Sequence, residues 1–219
     1  MDASEVIKKI IDGNNRFIKK HDINYFVNHM VAQHPFITLV SCSDSRIQPD
    51  VILPDAINKI FLIENIGNQI LSNEGSVDYG IYHLKTPVLL ILGHCDCGAI
   101  KAYMKGHEHE LDSIKKELDT LSSHISKNNA EDEFEKDLLD NIQKNVDYQV
   151  DVAAIKYKDL IQEEKLTVIG AFYDFKNDFG MRHGRVIILN VNGETDETKI
   201  RSLSIFENIK QEDILTGRL

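Results

Sequence analysis

The sequence predicts an α/β fold in which a mainly parallel central β-sheet is flanked by helices. Five short apolar runs recur along the chain, at residues 36–40, 60–63, 88–92, 167–172 and 186–191. Runs of this length and β-branched content are typical of strands that are buried on both faces. Segments with helical periodicity lie between several of them, and strands that alternate with helices favour parallel pairing with right-handed crossovers.

The first helical segment covers residues 4–20. Val6, Ile10 and Phe17 belong to an apolar series at near-helical spacing, with lysines between its members. Gly13 and the two asparagines after it have low helix propensity, so we expect the helix to bend or break there. A second stretch with one apolar face, at residues 76–84, predicts a helix between the second and third strands.

Residues 105–165 differ in kind from the rest of the chain. Glu, Lys, Asp and Asn dominate, while Leu and Ile recur at steps of three and four residues. This pattern predicts a charged segment of two or three surface helices, broken near residues 126–130. The run His107-Glu108-His109-Glu110 contains metal-ligand residue types, but neighbouring residues on a helix point in different directions. We interpret this run as a solvated charged face.

Composition limits the classes of protein and partner that are compatible with the chain. A length of 219 residues fits a single domain over residues 1–219, with residues 1–34 as an N-terminal helical arm. The net charge of −10 argues against nucleic acid as a partner, because phosphate binding needs clustered Lys and Arg. The apolar runs are too short to span a bilayer, and the start of the sequence has no signal-peptide pattern. We therefore expect a cytoplasmic protein that does not bind a membrane.

Two cysteine motifs follow two of the predicted strands. The first reads Cys42-Ser43-Asp44-Ser45-Arg46 and the second reads Gly93-His94-Cys95-Asp96-Cys97-Gly98. Sites in open parallel sheets form outside the carboxyl ends of the strands, so the two motifs are expected to converge. Cys42, His94 and Cys97 would offer two thiolates and one imidazole, which zinc prefers, and three protein ligands leave the open fourth position of a catalytic site.

Two features of these motifs leave alternatives. Cys95 could close the site as a fourth ligand, but its place between His94 and Cys97 makes binding by all three awkward, so we interpret it as a buried or spare thiol. Arg46 can hold Asp44 ionised and oriented, so that the carboxylate accepts a hydrogen bond from an oxygen nucleophile on the metal. The alternative for this pair is a surface salt bridge.

These residues resemble the β-class carbonic anhydrases, whose Cys-x-Asp-x-Arg and His-x-x-Cys-Gly motifs both stand intact here. The resemblance covers nearly the whole chain and implies the mainly parallel α/β fold of that family. It also implies an N-terminal helix that extends onto a neighbouring subunit and an active site at a dimer interface. The weaker matching markers are Gly13-Asn14-Asn15-Arg16-Phe17, Glu74-Gly75-Ser76-Val77-Asp78-Tyr79, Asn145-Val146, Gln149-Val150, Gly170 and Tyr173-Asp174.

The resemblance also assigns roles to single residues. It implies a Zn²⁺ cofactor and three kinds of site residue. These are the zinc ligands Cys42, His94 and Cys97, the catalytic dyad Asp44 and Arg46, and the substrate-binding residues Gln33 and Gly98. Glu64 departs from the pattern, because the family commonly carries an Arg after the second strand. We therefore do not expect the bicarbonate regulation that some members show.

The expected reaction is the zinc-dependent, reversible hydration of carbon dioxide to bicarbonate and a proton. The resemblance implies a homodimer or a dimer-based tetramer. One alternative keeps the same scaffold and hydrolyses carbonyl sulfide or carbon disulfide, which are linear, apolar and electrophilic like carbon dioxide. Another is a zinc-binding protein without turnover, although Asp44 and Arg46 would have no purpose in a purely structural site.

Overall fold

The computed structural model describes residues 1–27, 29–127 and 133–219. They form two compact units, Met1–His34 and Pro35–Leu219, and each is described by itself. The interpretation of the whole chain as one domain with a helical arm stays a prediction. Within the described residues, no helix combines the length and the apolar character needed to cross a membrane.

The first unit contains two helices, α1 (Ala3–Lys20) and α2 (Ile23–Val27). A capping box begins α1, since Asp2 accepts the Glu5 N–H and Glu5 accepts the Asp2 N–H, both at 3.0 Å. The helix runs through Gly13 without interruption, so the expected break is wrong. One internal glycine costs only about 1 kcal/mol, which a well-capped helix of 18 residues tolerates.

A five-stranded sheet forms the centre of the second unit, with the strand order β2-β1-β3-β4-β5. Four strands are parallel, which confirms the predicted mainly parallel sheet, and β5 is antiparallel to β4. No helix lies between β4 and β5 among the described residues, so the chain reverses there instead of crossing over. The strands are β1 (Ile37–Cys42), β2 (Ile60–Asn65), β3 (Val88–His94), β4 (Thr167–Asp174) and β5 (Arg185–Val191).

Six further α-helices flank this sheet in the described residues. A π-helical turn, Tyr79–His83, continues the first of them. They are α3 (Glu74–Asp78), α4 (Gly98–Lys105), α5 (Asp112–Asp119), α6 (Phe134–Lys156), α7 (Lys158–Gln162) and α8 (Glu197–Arg201).

Helix α6 corrects the prediction of surface helices over residues 105–165. Nine of its 23 residues are buried, including Asn and Gln side chains whose polarity suggested an exposed face. It packs closely on the sheet at Gly93 and Gly170, where an added Cβ would approach the methyl groups of Val146 to 2.5 and 2.7 Å. The predicted break near residues 126–130 extends outside the described residues.

The run at residues 107–110 is only partly the solvated face that we expected. Glu108, His109 and Glu110 are exposed. His107 is buried instead, and its Nε2 lies 2.8 Å from Oδ1 of Asp119. This histidine therefore joins the segment before α5 to the end of that helix.

Candidate metal centre

The two cysteine motifs meet at the carboxyl edge of the sheet. Cys42 is the last residue of β1 and His94 is the last residue of β3, and these strands are neighbours. Cys97 stands at the N-cap of α4. The three side chains are buried, their possible ligand atoms lie within 4.8 Å of one another, and the two sulfurs are 3.9 Å apart. The structure thus brings the three predicted ligands together.

The imidazole of His94 has one nitrogen occupied and one free for a metal. Its Nδ1 lies 2.9 Å from the carbonyl oxygen of Cys95, and because a carbonyl only accepts, Nδ1 carries the proton. The Nε2 lone pair is then available. Among the described residues this buried Nε2 has no hydrogen-bond partner, and an orphaned buried nitrogen beside two thiols fits a metal ligand.

The two thiols are coupled through their short separation. The Cys97 thiol donates to the Cys42 sulfur and lowers the pKa of Cys42, and the backbone N–H of Gly67 acts in the same direction, whereas burial opposes both. The same hydrogen bond, together with complete burial, raises the pKa of Cys97. A divalent cation would replace the proton that the sulfurs share, so this donor set fits Zn²⁺.

Asp44 lies beside this group and is held by Arg46. The Nε and Nη2 of Arg46 donate to Oδ1 and Oδ2 of Asp44 at 2.9 and 2.7 Å, and the backbone N–H of Arg46 donates to Oδ1 at 2.9 Å. These bonds lower the pKa of Asp44 to about 2, so the carboxylate is ionised near neutral pH. Its Oδ2 is 3.9 Å from Nε2 of His94, so the pair lies next to the ligand cluster. Its catalytic role stays a prediction.

Two residues that hold Arg46 were not anticipated from the sequence. Asp96 accepts from Nη1 of Arg46 at 2.7 Å through its carboxylate and from Nη2 at 3.1 Å through its backbone carbonyl. The Phe175 ring lies under the guanidinium, 4.8 Å from its central carbon. Asp96 stands inside the second motif, and Phe175 directly follows β4 at the same sheet edge. Their positions in the sequence could therefore have indicated that both lie near Arg46.

Cys95 is fully buried but belongs to a different cluster from Cys97. Its sulfur groups with carboxylate oxygens of Asp174 and Asp178, and burial raises its pKa to about 11. The Asp174 carboxylate accepts the N–H groups of Asp178 and Phe179, each at 2.9 Å, and so fixes the turn after β4. We therefore interpret this cluster as stabilising the turn and not as a second metal site.

Three further residues that the sequence singled out, Gly98, Gln33 and Glu64, are exposed. Gly98 begins α4, is exposed, and has nothing within 4 Å of an added Cβ. Its N–H belongs to the first turn of the helix, where backbone donors lack helical partners. Gln33 is exposed in the Met1–His34 unit. Glu64 is an exposed residue of β2. The roles expected for these three positions stay predictions.

Comparisons with known proteins agree with this site and fold. A family model described as carbonic anhydrase matches residues 37–180. Carbonic anhydrases of Synechococcus elongatus and Mycolicibacterium smegmatis are 32% and 30% identical over 45% and 43% of this chain. The matched segments span 40% and 50% of those relatives.

Solved structures share the fold. A tetrameric β-carbonic anhydrase of the fungus Sordaria macrospora has a TM-score of 0.70 at 22% identity, covering 85% of this chain and 98% of that one. Family membership and the cluster of two thiols and one imidazole together support the predicted zinc cofactor. The matched family model covers more than half of the chain, and the chain therefore belongs to the β-class carbonic anhydrase family.

Proposed function

We propose that this protein catalyses the zinc-dependent, reversible hydration of carbon dioxide to bicarbonate and a proton. One observation carries the proposal. The buried cluster of Cys42, His94 and Cys97 lies beside an ionised carboxylate, Asp44, that Arg46 holds 3.9 Å from Nε2 of His94. A site that only stabilised the fold would not need an oriented carboxylate at its open side.

Zinc bound by the three ligands would lower the pKa of a bound water to about 7, which is the chemistry that it supplies to hydration. Asp44 is ionised and accepts hydrogen bonds only, so it orients the attacking water by accepting from its O–H. The Gly98 N–H at the start of α4 donates to an oxygen of carbon dioxide or bicarbonate. Gln33 supplies an amide donor to the same substrate in this proposal.

Asp44 stays off the fourth metal position in this proposal. Two side-chain donors and one backbone donor of Arg46 already occupy its two carboxylate oxygens. Moving Asp44 onto the metal would break the paired, charge-assisted bonds to Arg46. The resting site is therefore open to water.

The alternatives are not favoured. Each relative named above is a carbonic anhydrase, and none is named for the hydrolysis of carbonyl sulfide or carbon disulfide. A zinc-binding protein without turnover would leave the Asp44–Arg46 pair without a purpose. Hydration of carbon dioxide accounts for the ligands and for the pair.

Ligand variants test the proposal, with Cys95→Ser as the matched control. Cys42→Ser, His94→Ala and Cys97→Ser are each expected to lose both bound zinc and stopped-flow hydration of carbon dioxide. Cys95→Ser removes a buried thiol of the same motif and should retain both. Asp44→Ala should keep zinc and lose most turnover. Hydration that persists in any zinc-free ligand variant would overturn the assignment.

We also propose that the enzyme is a homodimer, alone or as half of a tetramer, whose N-terminal arm packs on a second copy of the chain. Helix α1 has no buried residue among those described, although it carries an apolar stripe. Val6, Ile7, Ile10 and Ile11 are 40–66% exposed. Exposing an apolar stripe of this size to water is unfavourable, so its burial against a second copy would stabilise the dimer.

Light scattering during gel filtration tests this assembly in the full chain. Ile10→Glu places a charge in the apolar stripe and should lower the measured mass toward that of one chain. Asn15→Glu makes the same change of charge on another side of α1 and should leave the mass of the wild type. Equal masses for both variants would exclude the stripe as an interface.

We propose a cytoplasmic location on the basis of the cysteines. All three are free thiols, and two of them belong to the metal cluster. Reducing compartments keep such thiols available as ligands. Fractionation of native host cells tests this location. Recovery of the protein outside the cytoplasmic fraction would contradict it.

A further inference from the structure

The loop that follows β2 begins next to Cys42. Asn65 ends β2, pairs in register with Cys42 and accepts the Ser43 N–H at 3.0 Å through its carbonyl. A hydrogen bond from the Gly67 backbone N–H to the Cys42 sulfur lowers the pKa of that thiol. Gly67 has a φ of +85°, a conformation that favours glycine. The loop therefore supplies a backbone donor to one of the predicted metal ligands.

Asn145 of α6 holds this loop through its side-chain amide. Its Nδ2 donates to the Gly67 carbonyl at 2.9 Å and lies 3.4 Å from Oδ1 of Asn68. Its Oδ1 accepts from Nε2 of Gln149 at 3.3 Å. Asn145 is 1% exposed, so water does not substitute for these bonds, and losing them would leave the Gly67 carbonyl buried and unpaired.

His124 fixes the orientation of the Asn145 amide. The Gly67 carbonyl only accepts, so the amide NH₂ faces it and the amide oxygen faces His124, whose Nε2 is 2.8 Å away. Nε2 of His124 must then carry the proton, which leaves Nδ1 to accept from the Ser123 hydroxyl at 3.0 Å. Stacking on Tyr148, at 3.9 Å and 8°, holds the imidazole ring in place.

We propose that Asn145 is a positioning residue for the metal centre, which holds the Gly67 N–H on the Cys42 sulfur, and that His124 sets its orientation. This inference rests on the zinc centre of the proposed function. A hydrogen bond to a thiolate stabilises the sulfur lone pairs and fixes the direction of the ligand. Residues that orient ligands in this way affect metal affinity about 10- to 100-fold when they are mutated.

The chain offers a matched control on the same helix. Asn141 is also 1% exposed, and its Nδ2 likewise donates to a backbone carbonyl, that of Ser126, at 3.0 Å. Asn145→Ser and Asn141→Ser thus delete the same group from equally buried positions. We expect both to lower the Tm of the metal-free protein, whereas only Asn145→Ser should weaken zinc binding, by about tenfold in competition with a chelator.

The spectrum of the cobalt-substituted protein gives a second measurement that does not depend on activity. Loss of the N–H···S bond raises the energy of the sulfur lone pairs, so the thiolate-to-cobalt charge-transfer band should move to lower energy in Asn145→Ser. His124→Phe should move it in the same direction, because the new ring can stack on Tyr148 but cannot donate to Asn145. If Asn145→Ser does not fold, His124→Phe tests the same contact.

The outcomes separate this inference from the proposed function. A wild type that binds neither metal would overturn both. A wild type that binds zinc, with Asn145→Ser and Asn141→Ser equal in affinity, would overturn only the positioning role of Asn145. An unshifted cobalt band in the folded variants would do the same.

Discussion

Arg46 and Asp96 join the two metal motifs through a hydrogen bond of 2.7 Å between Nη1 and Oδ2. The Nε and Nη2 of the same guanidinium donate to Asp44. One arginine therefore connects the carboxylate of the first motif with Asp96, which lies between the two predicted ligands of the second motif. Lys101 also pairs with Asp96, which lowers the pKa of that carboxyl to about 2 together with Arg46. The direction in which Asp44 points therefore depends on both motifs.

Asp96→Asn should lower kcat for carbon dioxide hydration by up to about tenfold while zinc content stays that of the wild type. Asparagine tolerates the positive φ of 62° at this position, so the backbone is preserved while the charge is lost. The loss expected is that of one charge-assisted hydrogen bond at a half-exposed site. Lys101→Met, which removes only the outer partner of Asp96, should have a smaller effect. A kcat in Asp96→Asn equal to that of the wild type would show that Arg46 does not need this anchor.

Arg46→Lys should retain zinc and lose about 10- to 100-fold in kcat/KM. A lysine ammonium cannot reproduce the planar fork that donates to both oxygens of Asp44, nor its stacking on Phe175. Asp44 would then be free to turn toward the metal. Stopped-flow hydration with zinc analysis measures both quantities. Unchanged kcat/KM would mean that charge alone, rather than the paired geometry, orients Asp44.

The strands and the ligand cluster were predictable from the sequence because their signals are local. Apolar runs locate β1 and β3, and each motif follows its run directly, so adjacency in a parallel sheet brings Cys42 and His94 together. The structure extends each run by two residues at its carboxyl end, which makes these ligands the last residues of their strands.

The contacts around the ligands were not predictable, because they join residues that are distant in the chain. Arg46 and Asp96 are 50 positions apart, and Asn145 and Gly67 are 78 apart. The polarity of Asn141 and Asn145 suggested an exposed face, yet both amides are satisfied internally and buried. Composition reports the polarity of a side chain but not whether its partner is water or protein.

Zinc binding to the metal-free protein near pH 7 should release about one proton rather than two. The lowered pKa of Cys42 makes it a thiolate at this pH, whereas the raised pKa of Cys97 keeps that thiol protonated. The metal takes both sulfurs as thiolates, so only the Cys97 proton leaves. Calorimetric titration in buffers of different ionisation enthalpy counts the released protons.

Cys95→Ser is the control for this count. Its thiol lies in the cluster with Asp174 and has a raised pKa, so it neither binds the metal nor changes ionisation, and the count should stay near one. A release of about two protons by the wild type would contradict a shared proton between the Cys42 and Cys97 sulfurs.

Gly93→Ala should destabilise the protein by about 1–3 kcal/mol, because an added methyl group would force α6 away from the sheet. The new Cβ would lie 2.5 Å from a methyl carbon of Val146, the neighbour of Asn145 on that helix. We therefore expect a lower Tm and, in addition, weaker zinc binding. Gly75→Ala is the matched control, since nothing lies within 4 Å of its added Cβ. A Gly93→Ala variant as stable as Gly75→Ala would mean that α6 shifts on the sheet without cost.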